Sequence, residues 1–276
     1  MIKKELIMET AIELFAKQGF NATSVQQITD HCGISKGAFY LSFKSKDELI
    51  IALVDYFMIQ LVSDIDHVVK NTADEDLLYE FFYTSFKSYL NHTDFAKIIF
   101  KEQAQSLNEE LITRIQHYER INETSILSLV ERLYGDDIIQ TKYDLTYCIK
   151  GFLQQYAVLF LFYNIPLDLV RLSQSLVEKT NILARHSTIP FISQELTEII
   201  SPVMCEEMTK EQLLDLMDNK IEEIEESIEK ESLLLLKEQL IEQTFGPAII
   251  KGLLENLHAH PHCKYLAYLL RQYYNF

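Results

Sequence analysis

The chain has 276 residues, 48% of them apolar, and a formal net charge of −16. This composition excludes a disordered chain, and the length allows one small domain joined to a larger body. The charge is uneven: residues 1–50 carry six lysines against six acidic side chains, so the deficit lies in the remainder, with 19 basic against 35 acidic residues.

Seven glycines, five prolines and long stretches of Leu, Ile, Glu, Lys and Gln, with no alternating run bounded by turns, set the class as all-α. A charged amphipathic helix opens the chain and reaches Gly19. Ser24 with Gln27, and Ser45 with Glu48, form the spacing of two capping boxes, each ahead of an apolar run. Between them Gly33 supplies the left-handed residue a chain needs on leaving a helix, and Ser35 can cap the next. The pattern predicts a helix-turn-helix followed at once by a further helix from Lys46 to about Val69. Helical period turns Phe39 and Phe43 inward with Val25, Ile28, Cys32 and Ile34, leaving Lys36, Gly37, Ala38, Tyr40, Leu41 and Ser42 outside. A helix that starts with Lys-Gly-Ala can bring its backbone close to base edges in a major groove, while the Tyr40 hydroxyl and the Lys46 ammonium stand at phosphate height.

With Ile7, Ala11, Leu14, Phe15, Gly19, Thr23 to Ile28, Gly33, Ile34, Ser35, Gly37, Tyr40, Phe43, Lys46 and Leu49 in place, residues 7–49 resemble the DNA-binding domain of the TetR/AcrR family of bacterial transcriptional regulators. The resemblance implies phosphate contacts at Ser24, Tyr40 and Lys46, with Ser35 alongside, and base reading at Gln26, Lys36, Gly37, Ala38 and Leu41. Cys32 and Thr29 stand where the family usually has small alanines, and Gln26 where it often has arginine.

Further along, Thr72 with Glu75 predicts a cap for a helix over 73–91, a short helix follows over 94–104, and Ser106 with Glu109 predicts one that reaches Leu133 and stops at Gly135. Another long helix is expected over 137–164, and Pro166 can open the next, to about 186. Between Tyr79 and Tyr163 there are 17 Phe and Tyr residues in 85, close to twice the chain average of 11%. Most such rings fill a helical core. The family resemblance adds a cavity for a small hydrophobic effector, with Phe82, Phe86, Tyr89, Phe100, Tyr118, Tyr147 and Tyr156 as candidate lining and Gln103 or Gln154 as polar contacts. It also implies a homodimer joined through the last two body helices, to which the run Ala157 to Phe162 and the row Leu169, Leu172, Leu176 and Leu183 are suited; packing within one chain is the alternative.

Some ninety residues beyond Arg185 exceed what such a regulator needs. Thr209 with Gln212 predicts a helix whose Leu214, Met217, Ile221, Ile224 and Ile228 form a coiled-coil-like seam, followed by a helix after Pro247 and an aromatic one after Pro261. Two heptads are too few for an independent coiled coil, so packing on the body or on the partner subunit is expected, and of these an enlarged dimer interface is the reading taken. His258, His260, His262 and Cys263 crowd one loop, but without a second ligand group at structural-zinc spacing no metal or cofactor is assigned. No nucleotide loop, nucleophile motif or HExxH sequence is present, so no enzyme is expected. Cys32, Cys148, Cys205 and Cys263 lack paired spacing and suit reduced thiols in the cytoplasm; the longest apolar stretch, Tyr156 to Tyr163, is too short to span a membrane.

The expected organisation is a helix-turn-helix domain over 1–50, a helical effector-binding and dimerisation domain over 51–187, and an extension over 188–276. The expected function is a ligand-responsive regulator, a repressor, binding a palindromic double-stranded DNA operator. The alternative is a helical ligand-binding or protein-docking protein that no longer reads DNA.

Overall fold

Local caps set the first four helices. In the computed structural model, which describes residues 2–102, 109–163, 165–200, 209–260, 263–274 and 276, these are α1 (Ile2–Gln18), α2 (Val25–Cys32), α3 (Lys36–Ser42) and α4 (Lys46–Asn71). Ser24 and Gln27 form a complete capping box, Gly33 ends α2 at φ +65°, and Ser35 and Ser45 accept from the amides of Ala38 and Glu48. The Ser45 box is open on its other side, because the Glu48 carboxylate accepts from the Lys44 amide instead. Ile7, Ala11, Phe15, Ile28, Phe39, Phe43 and Leu49 are buried together. Their cluster runs on through Leu53, Val54 and Val62 of α4, so no flexible linker follows the helix-turn-helix.

The body contains α5 (Asp74–Asn91), α6 (Thr93–Glu102), α7 (Glu109–Tyr134), a 3-10 turn (Gly135–Ile138), α8 (Lys142–Tyr163) and α9 (Leu169–His186). Three expected boundaries are corrected. Thr72 does not cap α5: its amide donates to the Val68 carbonyl, so it ends α4, and Ala73 precedes α5 without a side-chain cap. The chain does not resume a helix at 137, because the left-handed Gly135 leads into the 3-10 turn that buries Ile138. Pro166 does not open α9; Asp168 does, accepting from the Arg171 amide at 3.0 Å. Ser106 lies outside the described residues.

The second half of α4 packs with α5, α7, α8 and α9 around Leu61, Ile65, Phe81, Phe82, Phe86, Ile126, Ile149 and Leu176. By length and composition α8 could cross a bilayer, contrary to the expectation from its apolar stretch alone. Here its Leu145, Ile149, Leu153, Ala157 and Leu161 row is buried in this core. Arg132 of α7 ties the α4–α5 turn down, donating to the Val69 and Thr72 carbonyls and to Asp74.

Beyond α9 come α10 (Gln194–Ile200), α11 (Lys210–Glu223), α12 (Ile228–Ile241), α13 (Pro247–His258) and α14 (Lys264–Tyr274), and among the described residues there is no strand. The Thr209–Gln212 capping box forms, and Pro247 opens α13. The expected seam is broken: α11 ends before Ile224, Ser227 caps a new helix, and Ile228 is exposed. The break lets α12 fold back so that Leu233, Leu236 and Leu240 pack with Leu213, Met217, Leu254, Leu257, Leu266 and Leu270. This extension is fastened to its own chain, since α14 lies along α4 and Tyr268 is buried with the helix-turn-helix cluster.

Candidate nucleic-acid interface and effector region

On α3 the burial pattern separates two faces. Phe39 and Phe43 are 0% and 2% exposed, whereas Tyr40 and Leu41 are 51% and 91% exposed. One exposed leucine and one exposed tyrosine are ordinary surface by themselves; their place beside an exposed lysine and glycine on one short helix is what marks this face. Lys36 and Gly37 are exposed at the start of the same helix and Ala38 is half-buried. A Cβ at Gly37 would meet only Ser35 Oγ, at 3.7 Å, so internal packing does not demand glycine here. What the missing side chain provides is a bare backbone on the outer face.

The flanking residues are held by local hydrogen bonds. Ser24 Oγ accepts from the Gln27 amide at 3.2 Å, Ser35 Oγ accepts from the Ala38 amide at 3.2 Å, and Gln26 donates to Asp30. Lys46 is half-buried, and its Nζ donates to the carbonyls of Phe20 at 2.6 Å and Thr23 at 2.8 Å, with the Phe20 ring 4.2 Å away. This clasp joins the first turn of α4 to the α1–α2 turn. No residue pattern announces this clasp, because its partners are backbone carbonyls. Of the expected contact residues, Ser24, Gln26, Ser35, Lys36, Gly37, Tyr40 and Leu41 are exposed and Ala38 and Lys46 are half-buried.

The expected effector lining is dispersed. Phe82 and Phe86 are fully buried in the closed body core, and Tyr147 and Tyr156 are half-buried on α8. Tyr118 belongs to the helix-turn-helix cluster, where its hydroxyl donates to Asp55 at 2.9 Å. Gln154 is exposed and corrected as a cavity contact; Gln103 and the Phe100 side chain lie outside what is described. Tyr89 alone of these borders a described pocket, a space of about 50 Å³ shared with Phe57, Met58, Leu61, Ser88, His92, Phe95 and Ala96. Burial pushes the Tyr89 phenol up to about 12, so it is a neutral donor at any ordinary pH. The Phe57 and Phe95 rings stack at 4.4 Å across this pocket, and Phe95 and Ile98 of α6 are buried with the helix-turn-helix cluster as α6 packs on α1. A larger cleft of about 290 Å³ opens between α4, α11 and α14, lined by Tyr56, Ile59, Leu216, Lys220, Glu223 and Tyr265 among others.

The expected dimer rows are also divided. Ala157, Phe160, Leu161 and Leu176 fill the chain's own core, and Leu169, Leu172 and Leu183 pack against it. The exposed apolar residues of these helices are Leu159, Phe162 and Tyr163 on α8 and Val170 and Ile182 on α9.

Among known proteins, the pattern of bacterial regulatory proteins of the tetR family matches residues 7–53. The uncharacterized HTH-type transcriptional regulator YerO of Bacillus subtilis (strain 168) is 31% identical over 268 residues, covering 92% of this chain and 89% of that protein. YuxN of the same organism is 28% identical over 269 residues, covering 92% and 91%. Similarity to both therefore runs on into the C-terminal extension. The crystal structure of the regulator FadR from Bacillus subtilis, in complex with stearoyl-CoA, shares the fold with a TM-score of 0.54 at 21% identity, covering 67% of this chain and 99% of that one. By the helix-turn-helix pattern and the near full-length similarity to YerO, the chain belongs to the TetR family of transcriptional regulators, DNA-binding proteins rather than enzymes.

Proposed function

We propose that the protein is a cytoplasmic, ligand-responsive repressor that binds a palindromic DNA operator as a homodimer and is released by a small apolar effector. The observation that carries the reading is the outward set of Lys36, Gly37, Tyr40 and Leu41 on a helix whose Phe39 and Phe43 are buried. Ser24, Tyr40 and Lys46 would hold phosphates, with the Lys46 ammonium held at the first turn of α4 by the two carbonyls it binds. Gln26, Lys36, Gly37, Ala38 and Leu41 would meet base edges in the major groove. A two-fold pair spaces recognition helices by about 34–36 Å, one duplex turn, which is the reason for a palindrome and a dimer. The exposed apolar side chains of Leu159, Phe162, Val170 and Ile182 support α8 and α9 as the pairing helices.

We place helix-turn-helix function in residues 1–50 and effector binding and pairing in 51–187, with 188–276 as an added bundle. The effector region we favour lies around Phe57, Tyr89, His92 and Phe95. A ligand pocket holds roughly 300–1,000 Å³, so an acyl or similarly apolar effector must part α6 from α4 and α5. That displacement would carry Phe95 and Ile98 within the cluster that also holds α1 and so shift the recognition helix. The stearoyl-CoA bound by Bacillus subtilis FadR supports an effector of this chemical class. The test is a mobility shift on DNA flanking the protein's own gene, across a salt series with unrelated competitor. A specific, salt-sensitive shift reversed by long-chain acyl-CoA is expected; no shift above competitor would refute operator binding.

A further inference from the structure

Two D/E-x-x-H pairs that lie far apart in the chain meet where the extension crosses α4. Asp64 and His67 occupy successive turns of one face of α4, and Glu255 and His258 do the same on α13. The two imidazoles stack at 4.2 Å with planes inclined by 16°. His67 Nε2 lies 2.9 Å from Glu255 Oε2, and His258 Nε2 lies 3.5 Å from Asp64 Oδ1. The His258 Nε2 atom is buried, and its contact with Asp64 is too long for a well-formed hydrogen bond. One ligand atom each from His67, Glu255 and His258 falls within 4.8 Å of the others.

We propose that His67, Glu255 and His258, with Asp64 beside them, form a binding site for a divalent transition-metal ion of the zinc class that bridges α4 and α13. Two imidazole nitrogens and one or two carboxylate oxygens are the donors such an ion takes, and they disfavour magnesium or calcium, which prefer all-oxygen shells. Zinc ligands at about 2.0–2.1 Å stand about 3.3 Å apart in a tetrahedron, so an ion draws the ligand atoms together and tilts the two stacked rings until their in-plane nitrogen lone pairs converge on it. Arg271 donates to Glu255 Oε1 at 2.6 Å, leaving Oε2 toward the histidines, and Lys264 orients Asp64. Such second contacts fix metal ligands in place. Cys263, the sulfur nearest in sequence, is not part of the site: it is buried in the extension's core with its thiol pushed up to about 11.

An ion here fastens the extension to the helix that begins at the recognition unit. The test is calorimetric titration of the full-length protein, stripped with EDTA, with zinc chloride, after circular dichroism has verified the helical content of each variant. One zinc per chain is expected. Binding should weaken by about tenfold or more in His67→Gln, His258→Gln and Glu255→Gln, and remain unchanged in His260→Gln. Zinc should also raise the melting temperature of the parent protein and leave that of His67→Gln unmoved, as binding to the native state alone requires. His67 and Glu255 are partly exposed, so their variants carry the test if His258→Gln does not fold. No zinc uptake by the parent protein, or equal affinity in all four variants, overturns the assignment.

Discussion

The Lys46 ammonium sits 4.2 Å from the centroid of the Phe20 ring while donating to the Phe20 carbonyl at 2.6 Å and the Thr23 carbonyl at 2.8 Å. One side chain therefore fixes the start of α4 against the turn that presents α2. Because α4 continues into the body core and beneath α14, a displacement there reaches the recognition unit through a rigid connection.

Removing that clasp separates its structural and electrostatic parts. Lys46→Met keeps the stem but loses both hydrogen bonds and the ring contact, and urea denaturation should show a loss of about 2 kcal/mol. Tyr40→Phe, at an exposed ring, should leave stability unchanged. The double variant Tyr40→Phe/Lys46→Ala should bind all DNA sequences more weakly by a similar factor and reduce the salt slope by about 1–2. Undiminished operator affinity in the double variant would place the contact face elsewhere.

Arg132 makes a comparable join at the other end of α4. The last carbonyls of a helix have no partner within it, and Arg132 supplies one to Val69 and one to Thr72 while pairing with Asp74. Lysine cannot span these three acceptors from a single planar group. Arg132→Lys should therefore cost nearly as much as Arg132→Met, about 2 kcal/mol. The fall in melting temperature should be about 4–8 °C for a domain of this size.

How much of this was legible depended on whether the partners are neighbours in sequence. Ser24, Gly33, Ser35 and Ser45 act within four residues, so their spacing carries the helix-turn-helix directly. Thr72 and Pro166 misled because an adjacent signal competed: Thr72 is used to end α4, and Asp168 caps better than Pro166 can open. The Ile224–Ile228 seam fitted a helical period, but period says nothing of a Ser227 cap that reverses the chain to bury Leu233 and Leu240. The aromatic body showed its composition but not its distances, so Phe82 and Phe86 could not be told from pocket residues. His258 drew notice for its loop neighbours, whereas the residue that meets it, His67, is brought there only by the packing of α13 on α4.

Histidines should make the fold sensitive to mild acid. Burial, aided by the Lys264 ammonium, holds His92 below its ordinary value of 6.5, and burial with the Arg114 guanidinium does the same for His117. A group depressed on folding binds protons more readily when unfolded, so stability is complete above pH 6.5 and is lost as the pH falls below it. Urea midpoints on EDTA-treated protein should drop between about pH 7.5 and pH 5.5, and His92→Gln should flatten that dependence. The window is that of the histidines; lower in pH, Asp55 and Asp66, whose burial raises them, act in the opposite sense, while Asp64 and Glu255, which their partners lower, add to the loss.

The pairing face can be tested by substitutions that separate surface from core on the same helices. Leu159 and Ile182 are 43% and 51% exposed and belong to none of the buried clusters, whereas Leu176 is 0% exposed at the centre of the body core. A glutamate at an apolar interface must be desolvated without a partner, and across a two-fold axis it meets its own copy. Leu159→Glu/Ile182→Glu should therefore sediment as a monomer, keep its helical content and melting behaviour at low concentration, and lose operator affinity through loss of the paired recognition helices. Leu176→Ala should do the reverse, costing about 2–5 kcal/mol of stability through the cavity it leaves while the folded fraction still pairs. A dimer that survives the double glutamate variant would assign pairing to another surface, and the intramolecular packing of α8 and α9 would then be their whole use.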